Sequence, residues 1–103
     1  MKELQPLCER EFNIAETMRV LQSPINIYWC WGVSQAINLQ DKGLVLKVNG
    51  HLHKELVFIV LAWNDTYTVY LLSNKFEVKS KHTEIYFDML QDTVDSLIET
   101  KSN

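Results

Sequence analysis

Hydrophobic and polar residues alternate through most of the segment between Gly43 and Lys81, and turn residues interrupt this alternation at three places. Period-two alternation is typical of β-strands whose two faces meet different surroundings. The turn signals are Asn49-Gly50, Asn64-Asp65 and Ser73-Asn74. The pattern therefore predicts an antiparallel four-stranded meander over residues 44–81.

The predicted turns determine which residues share a face of this sheet. Two-residue loops in the last two hairpins pair Val60 with Val69, and Val69 with Val78. In the first hairpin, a three-residue loop with Gly50 as a left-handed bulge keeps apolar side chains on one face. The predicted core face comprises Leu44, Leu46, Leu52, Leu56, Phe58, Val60, Ala62, Tyr67, Val69, Leu71, Phe76 and Val78.

One helix is predicted before the meander in the sequence, and another is predicted after it. Asn13 with Glu16 three residues later fits a capping box, and the helix ends near Gln22 because Ser23-Pro24 follows. A second helix is predicted from Ile85 to about Lys101. Its apolar stripe comprises Phe87, Leu90, Val94, Leu97 and Ile98. Its opposite, acidic stripe comprises Asp88, Asp92, Asp95 and Glu99. This stripe is interpreted as the ordinary solvated face of an amphipathic helix. The alternative is a surface that docks a basic partner or imitates a phosphate backbone.

Residues 25–31 also alternate, with isoleucine or tryptophan at every second position, and predict an extra strand. Residues 33–40 are ambiguous and fit a short helix. Together these elements predict an α+β fold, a two-layer sandwich in which the N- and C-terminal helices pack on the sheet. With 103 residues and 47% hydrophobic content, residues 1–103 are expected to form one compact domain.

The expected location is the cytoplasm. The first 12 residues are too charged for a signal peptide, and the apolar run Leu56–Trp63 is too short to cross a bilayer. Cys8 and Cys30 do not form a Cys-x-x-Cys pair, so reduced thiols are expected and no cofactor is predicted. The net charge of −3 argues against general nucleic-acid binding, although residues 41–82 carry six lysines against four acids.

No catalytic motif is present: the sequence contains no Gly-x-Ser-x-Gly elbow, no P-loop and no Gly-x-Gly-x-x-Gly fingerprint. The prediction is a nonenzymatic protein-interaction or accessory module. The second face of the predicted sheet carries an apolar strip, and such strips usually mark interfaces with a partner protein or a second copy. The alternative is that residues 25–40 fold over this strip. The predicted contact residues are Ile59, Leu61, Trp63, Tyr70, Lys79 and Lys81.

A second hypothesis is nucleic-acid binding. Aromatic side chains on a sheet stack on bases while neighbouring lysines contact phosphates. Glu55 and Glu77 dilute the positive charge of this surface. The residues that would serve this role are Lys47, Tyr70, Lys79 and Lys81.

A third hypothesis is a metal-dependent enzyme. His51, His53 and Glu55 alternate along a predicted strand, so their side chains point to one face. Imidazole and carboxylate groups are ligands that zinc accepts in catalytic sites. Alternate residues of a strand lie about 7 Å apart, so only neighbouring ligands would converge easily.

Overall fold

A computed structural model describes residues 2–23, 25–50 and 52–99 and shows an antiparallel sheet with three α-helices. The helices are α1 (Ile14–Leu21), α2 (Ile25–Cys30) and α3 (Leu90–Ile98). The strands are β1 (Gln35–Asn38), β2 (Leu44–Lys47), β3 (Leu56–Leu61), β4 (Tyr67–Leu72) and β5 (Val78–Ile85). Short 3₁₀ helices span Lys2–Leu7 and Phe87–Met89. The predicted α+β fold class is confirmed.

The sheet has five strands in the order β1-β2-β3-β4-β5, and every neighbouring pair is antiparallel. The additional strand is β1, in the segment for which a short helix was expected. The predicted strand over residues 25–31 is wrong, because most of that segment forms α2. Its alternation is compatible with a helix as well, since Ile25 and Trp29 lie four residues apart and share a helix face.

The register of the last two hairpins differs from the prediction. Val60 pairs with Thr68 rather than with Val69. Val69 pairs with His82 rather than with Val78, and β5 carries two irregularities in its register with β4. Neighbouring residues of a strand point to opposite faces, so a shift of one residue moves a whole set of side chains to the other face. The predicted core face is therefore divided between the two faces of the sheet: Leu44, Leu46, Tyr67 and Val69 cluster on one face, and Leu56, Phe58 and Val60 cluster on the other.

The physical reason is that both loops are longer than predicted. The β3–β4 loop has three residues, closed by the Ala62 N–H donating to the Thr66 carbonyl at 2.8 Å, and its third residue, Asp65, has φ 66°. The β4–β5 loop also has three residues, and Phe76 takes the same left-handed conformation, with φ 67°. This arrangement is common in three-residue hairpin loops, but glycine normally occupies the left-handed position.

The first predicted hairpin also differs. Gly50 does not form a bulge in a three-residue loop; its N–H donates to the His53 carbonyl at 3.0 Å. The N–H of Val48 donates to the Glu55 carbonyl, also at 3.0 Å. The connection between β2 and β3 is therefore wider, and His53 belongs to this loop rather than to a strand.

Buried side chains form one cluster on each face of the sheet. On the helix-covered face, strand residues pack against α1 and α3, with Trp31 fully buried among them. The strand residues of this cluster are Leu44, Leu46, Val57, Ile59, Tyr67, Val69 and Ile85. The helix residues are Ile14, Leu21, Leu90, Val94 and Ile98.

The second face is covered by residues 2–8, which we call the N-terminal cover. Leu4 is fully buried there, and Leu7 and Cys8 pack beside it. The strand residues beneath it are Val45, Leu56, Phe58, Val60, Tyr70 and Leu72. Residues 25–40 are therefore not the main cover of this face, although Ile37 and Leu39 contribute at its edge.

The ends of the helices follow the sequence signals in part. The N-cap at Asn13 is confirmed, since its side-chain oxygen accepts from the Glu16 N–H at 3.0 Å. The C-terminal helix begins at Leu90 rather than at Ile85, because Ile85 ends β5. Its predicted end near Lys101 lies outside the described residues. Within the described part of the chain, the helices are too short or too polar to cross a membrane.

Candidate interaction groove

The predicted partner-binding residues do not share a face of the sheet. Ile59 is fully buried on the helix-covered face, and Leu61 follows it there, half-buried. Tyr70 lies on the opposite face, beneath the N-terminal cover, and is 5% exposed. The shared apolar strip on which that prediction rested is therefore not formed, and a partner-binding role for these side chains stays a prediction.

The remaining three predicted contact residues are exposed but separate. Trp63 is 71% exposed in the β3–β4 loop, where its backbone N–H donates to Oε1 of Glu9 at 3.3 Å. Lys79 and Lys81 lie on β5, which forms one edge of the sheet. Of the predicted contact residues, Trp63 is the one with a large apolar side chain that is exposed. Lys79 and Lys81 do not surround it.

The residues of the nucleic-acid hypothesis are only partly grouped. The ammonium of Lys81 lies over the Tyr70 ring, 5.8 Å from its centroid, while Lys79 is engaged by Glu55. Lys47 is exposed at the end of β2. Because the Tyr70 ring is buried, it offers no open face on which a base would stack. This hypothesis stays a prediction, and of the two aromatic residues that it could use, Tyr70 is buried whereas Trp63 is exposed.

The metal hypothesis falls partly outside the described residues, because it includes His51. His53 is buried, and its Nε2 lies 2.7 Å from the Leu56 carbonyl oxygen. Glu55 forms an ion pair with Lys79 at 2.7 Å, and the hydrogen bond from Lys79 holds the pKa of Glu55 below its usual value. Across the described residues, no three His, Cys, Asp or Glu side chains are grouped as metal ligands.

A groove of about 880 Å³ lies on the helical side of the molecule, between α1, the start of α2 and the entry to α3. Three apolar side chains contribute to its lining: Val20, Ile25 and Phe87. Ile25 is 40% exposed and Phe87 is 64% exposed. The apolar spacing predicted Phe87 in the buried stripe of a longer helix, but β5 continues to Ile85, so Phe87 falls in the 3₁₀ turn instead.

Five of the eight large apolar side chains that are exposed in the described structure belong to α2 or to the segment entering α3. On α2, Ile25 and Trp29 are one helical turn apart and Trp29 is 70% exposed. Tyr86, Phe87 and Met89 are each at least half exposed. Two of these five side chains, Ile25 and Phe87, line the groove. Exposed apolar side chains in a groove are typical of an interaction surface.

The groove carries more negative than positive charge. Glu16 lies on its α1 side, and Asp88 and Asp92 lie on its α3 side, against the single cation Arg19. None of these four side chains takes part in a salt bridge within the described part of the chain. Their charges are therefore available to a molecule that enters the groove.

Gln91 fixes the two long sides of the groove relative to each other. It is 8% exposed, and its Nε2 donates to the carbonyl oxygen of Leu21 at 2.8 Å. Leu21 is the last residue of α1, so this bond joins the end of α1 to the first turn of α3. The groove is consequently present before any ligand arrives, which lowers the ordering cost of binding.

The groove is open rather than enclosed. Most of its lining side chains are exposed, including Glu16, Arg19, Ile25, Phe87 and Asp92. Sites for small molecules usually bury most of the ligand surface, which an open groove cannot do. Its shape is better suited to the side chains of another macromolecule.

Sequence reasoning missed this groove, because it combines residues of three elements. One signal was present: the acidic positions Asp88 and Asp92 lie beside the apolar Phe87. Comparison with protein-family models, with curated proteins and with solved structures found no match to this chain.

Proposed function

We propose that this protein is a nonenzymatic protein-interaction module, and that its groove between α1, α2 and α3 binds a basic segment of a partner protein. The observation that carries the proposal is the exposed apolar pair Ile25 and Phe87, flanked by carboxylates that have no salt-bridge partner among the described residues. Apolar side chains of the partner would contact this pair, and its lysines or arginines would face the carboxylates.

Charge complementarity distinguishes this occupant from a second copy of the chain. Two copies meeting through this surface would bring Glu16, Asp88 and Asp92 near their own equivalents, with Arg19 as the single counter-charge on each side. Juxtaposed like charges oppose association and select against wrong partners. A basic segment replaces this repulsion with attraction.

The proposal is tested by selecting peptides from a displayed random library on the immobilised protein. Enriched peptides are expected to combine lysine or arginine with large apolar residues. Their affinity should fall at least about tenfold for Phe87→Ser, because truncating an anchor residue of an interface usually costs ~2 kcal/mol or more. Trp63→Ser is the matched control, since Trp63 is equally exposed but lies outside the groove lining.

Three outcomes would overturn the proposal. The selection enriches no peptide, or the enriched peptides bind Phe87→Ser as tightly as the unchanged protein. Alternatively, the purified protein is a stable dimer by light scattering, and Phe87→Ser but not Trp63→Ser yields monomers, which would identify a second copy as the occupant.

A further inference from the structure

We infer that the segment bound in the groove is an amphipathic α-helix with a narrow apolar stripe and basic residues on the side of that stripe that faces Asp88 and Asp92. This inference rests on the proposed function and specifies the conformation of the partner. It follows from three properties of the groove: the hydrogen bonds that its backbone groups already make, its position relative to the sheet edges, and the arrangement of its charges.

The α1 wall of the groove offers few free backbone hydrogen-bonding groups. Inside α1 and α3 the N–H and carbonyl groups bond within the helix. At the end of α1, where carbonyl groups are normally left over, the Val20 carbonyl accepts from Ser23 at 3.4 Å and the Leu21 carbonyl accepts from Gln91 at 2.8 Å. An extended segment lying here would find no ladder of partners for its own backbone, whereas a helix satisfies its backbone internally.

An extended partner would instead bind at an edge of the sheet. The edges are β1 and β5, and no strand residue lines the groove. Strand addition requires unpaired N–H and carbonyl groups along an edge, which the groove does not contain. The position of the groove therefore selects against an extended occupant.

The negative charge of the groove lies mainly on its α3 side. Glu16 lies on α1 together with the cation Arg19, so these two side chains leave no net charge on the α1 side. Asp88 in the 3₁₀ turn and Asp92 in the first turn of α3 have no such counter-charge among the lining residues. A helix placed along the groove would direct its apolar stripe to Ile25 and Phe87, with basic residues on the flank that faces Asp88 and Asp92.

The test uses synthetic peptides of about 15 residues, the length at which an isolated helix becomes marginally stable. The first carries leucines spaced three and four apart, with lysines on one flank and alanine at one outward position. The second has proline at that outward position, which breaks a helix but leaves an extended chain unaffected. Both have the same charge and the same apolar residues. Binding is followed through the backbone amide signals of the isotope-labelled protein.

The expected result is that the alanine peptide shifts the amide signals of Val20, Phe87 and Gln91, and binds at least about tenfold more tightly than the proline peptide. Equal affinity of both peptides, with the same signals shifted, overturns the helical inference and leaves the proposed function standing. If neither peptide shifts these signals, the proposed function fails as well. Phe87→Ser should abolish the shifts, and Trp63→Ser should preserve them. The reverse result would overturn both the helical inference and the proposed function.

Discussion

The indole N–H of Trp31 donates to Oδ1 of Asp95 over 3.0 Å, although the two residues are 64 positions apart in the chain. Trp31 is fully buried, and its carbonyl accepts from the Asn49 N–H at 2.8 Å. The ring therefore joins the segment before β1 to the middle of α3. The predicted acidic stripe of that helix is not only a solvated face, because Asp95 has a structural partner.

Replacing Trp31 with phenylalanine is expected to lower the free energy of unfolding by about 1.5–3 kcal/mol, the usual contribution of a hydrogen bond to a charged acceptor, with a further loss from the smaller ring. Urea denaturation measures the change. Asp95→Asn keeps an oxygen acceptor and should cost less than Asp95→Ala. If Trp31→Phe and Asp95→Ala have fully additive effects, the hydrogen bond contributes nothing and this explanation is wrong.

The ion pair between Glu55 and Lys79 predicts a pH dependence. The hydrogen bond from Lys79 is the main cause that lowers the pKa of Glu55 from its usual 4.5, and the Asn74 N–H lowers it further. Because the folded-state pKa is depressed, the stability from this contact is present above pH 4.5 and is lost as the pH falls through the folded-state pKa.

Lys79→Met should therefore move the titration midpoint of the Glu55 carboxyl carbon upward in NMR spectra. Lys81→Met is the matched control on the same strand, and it should leave that midpoint unchanged because Lys81 lies over Tyr70. An unchanged midpoint in Lys79→Met would show that the ion pair does not form in solution.

Gly50 lies so close to the end of α3 that an added Cβ would overlap the Ile98 side chain and lie 2.6 Å from the Ile98 carbonyl oxygen. Gly50→Ala is expected to destabilise the protein by about 1–3 kcal/mol through overpacking. This corresponds to a fall in Tm of roughly 4–8 °C for each kcal/mol in a domain of this size. Asn49→Ala, at the exposed neighbouring position, should change Tm by much less. Equal effects of the two changes would contradict the close approach.

Leu4 is fully buried in the N-terminal cover, against side chains of the second sheet face. Leu4→Ala is expected to cost about 2–5 kcal/mol, as other buried leucines do. Binding of a dye that fluoresces on apolar surfaces should rise in parallel. Gln5→Ala, at the exposed next position, provides the control. Unchanged stability in Leu4→Ala would indicate that the cover does not pack in solution.

Local signals in the sequence predicted some elements correctly. Asn13 caps α1 because its side chain reaches an N–H only three residues away, so no distant residue is needed. Leu90, Val94 and Ile98 are buried on α3 as their helical spacing predicts. Such features depend on the nearest turn of the chain, which the sequence describes directly.

The errors arose where the length and conformation of a loop determine the register of a whole strand. Phe76 is left-handed in a loop, a conformation that phenylalanine rarely adopts and that no sequence signal indicates. One extra residue in the β3–β4 loop reversed the faces assigned to β3 relative to β4, and with them the predicted contact surface. The groove could not be predicted either, because the exposure of Phe87 depends on where β5 ends and where α2 packs.

The N-terminal cover also has a consequence for synthesis of the chain. Leu4 leaves the ribosome long before Phe58, Tyr70 and Leu72, which bury it. Ile98, which belongs to the other cluster, comes later still. The second face can therefore be covered only after β4 has emerged, and the helix-covered face only after α3 has emerged. Incomplete chains expose apolar surface that chaperones bind.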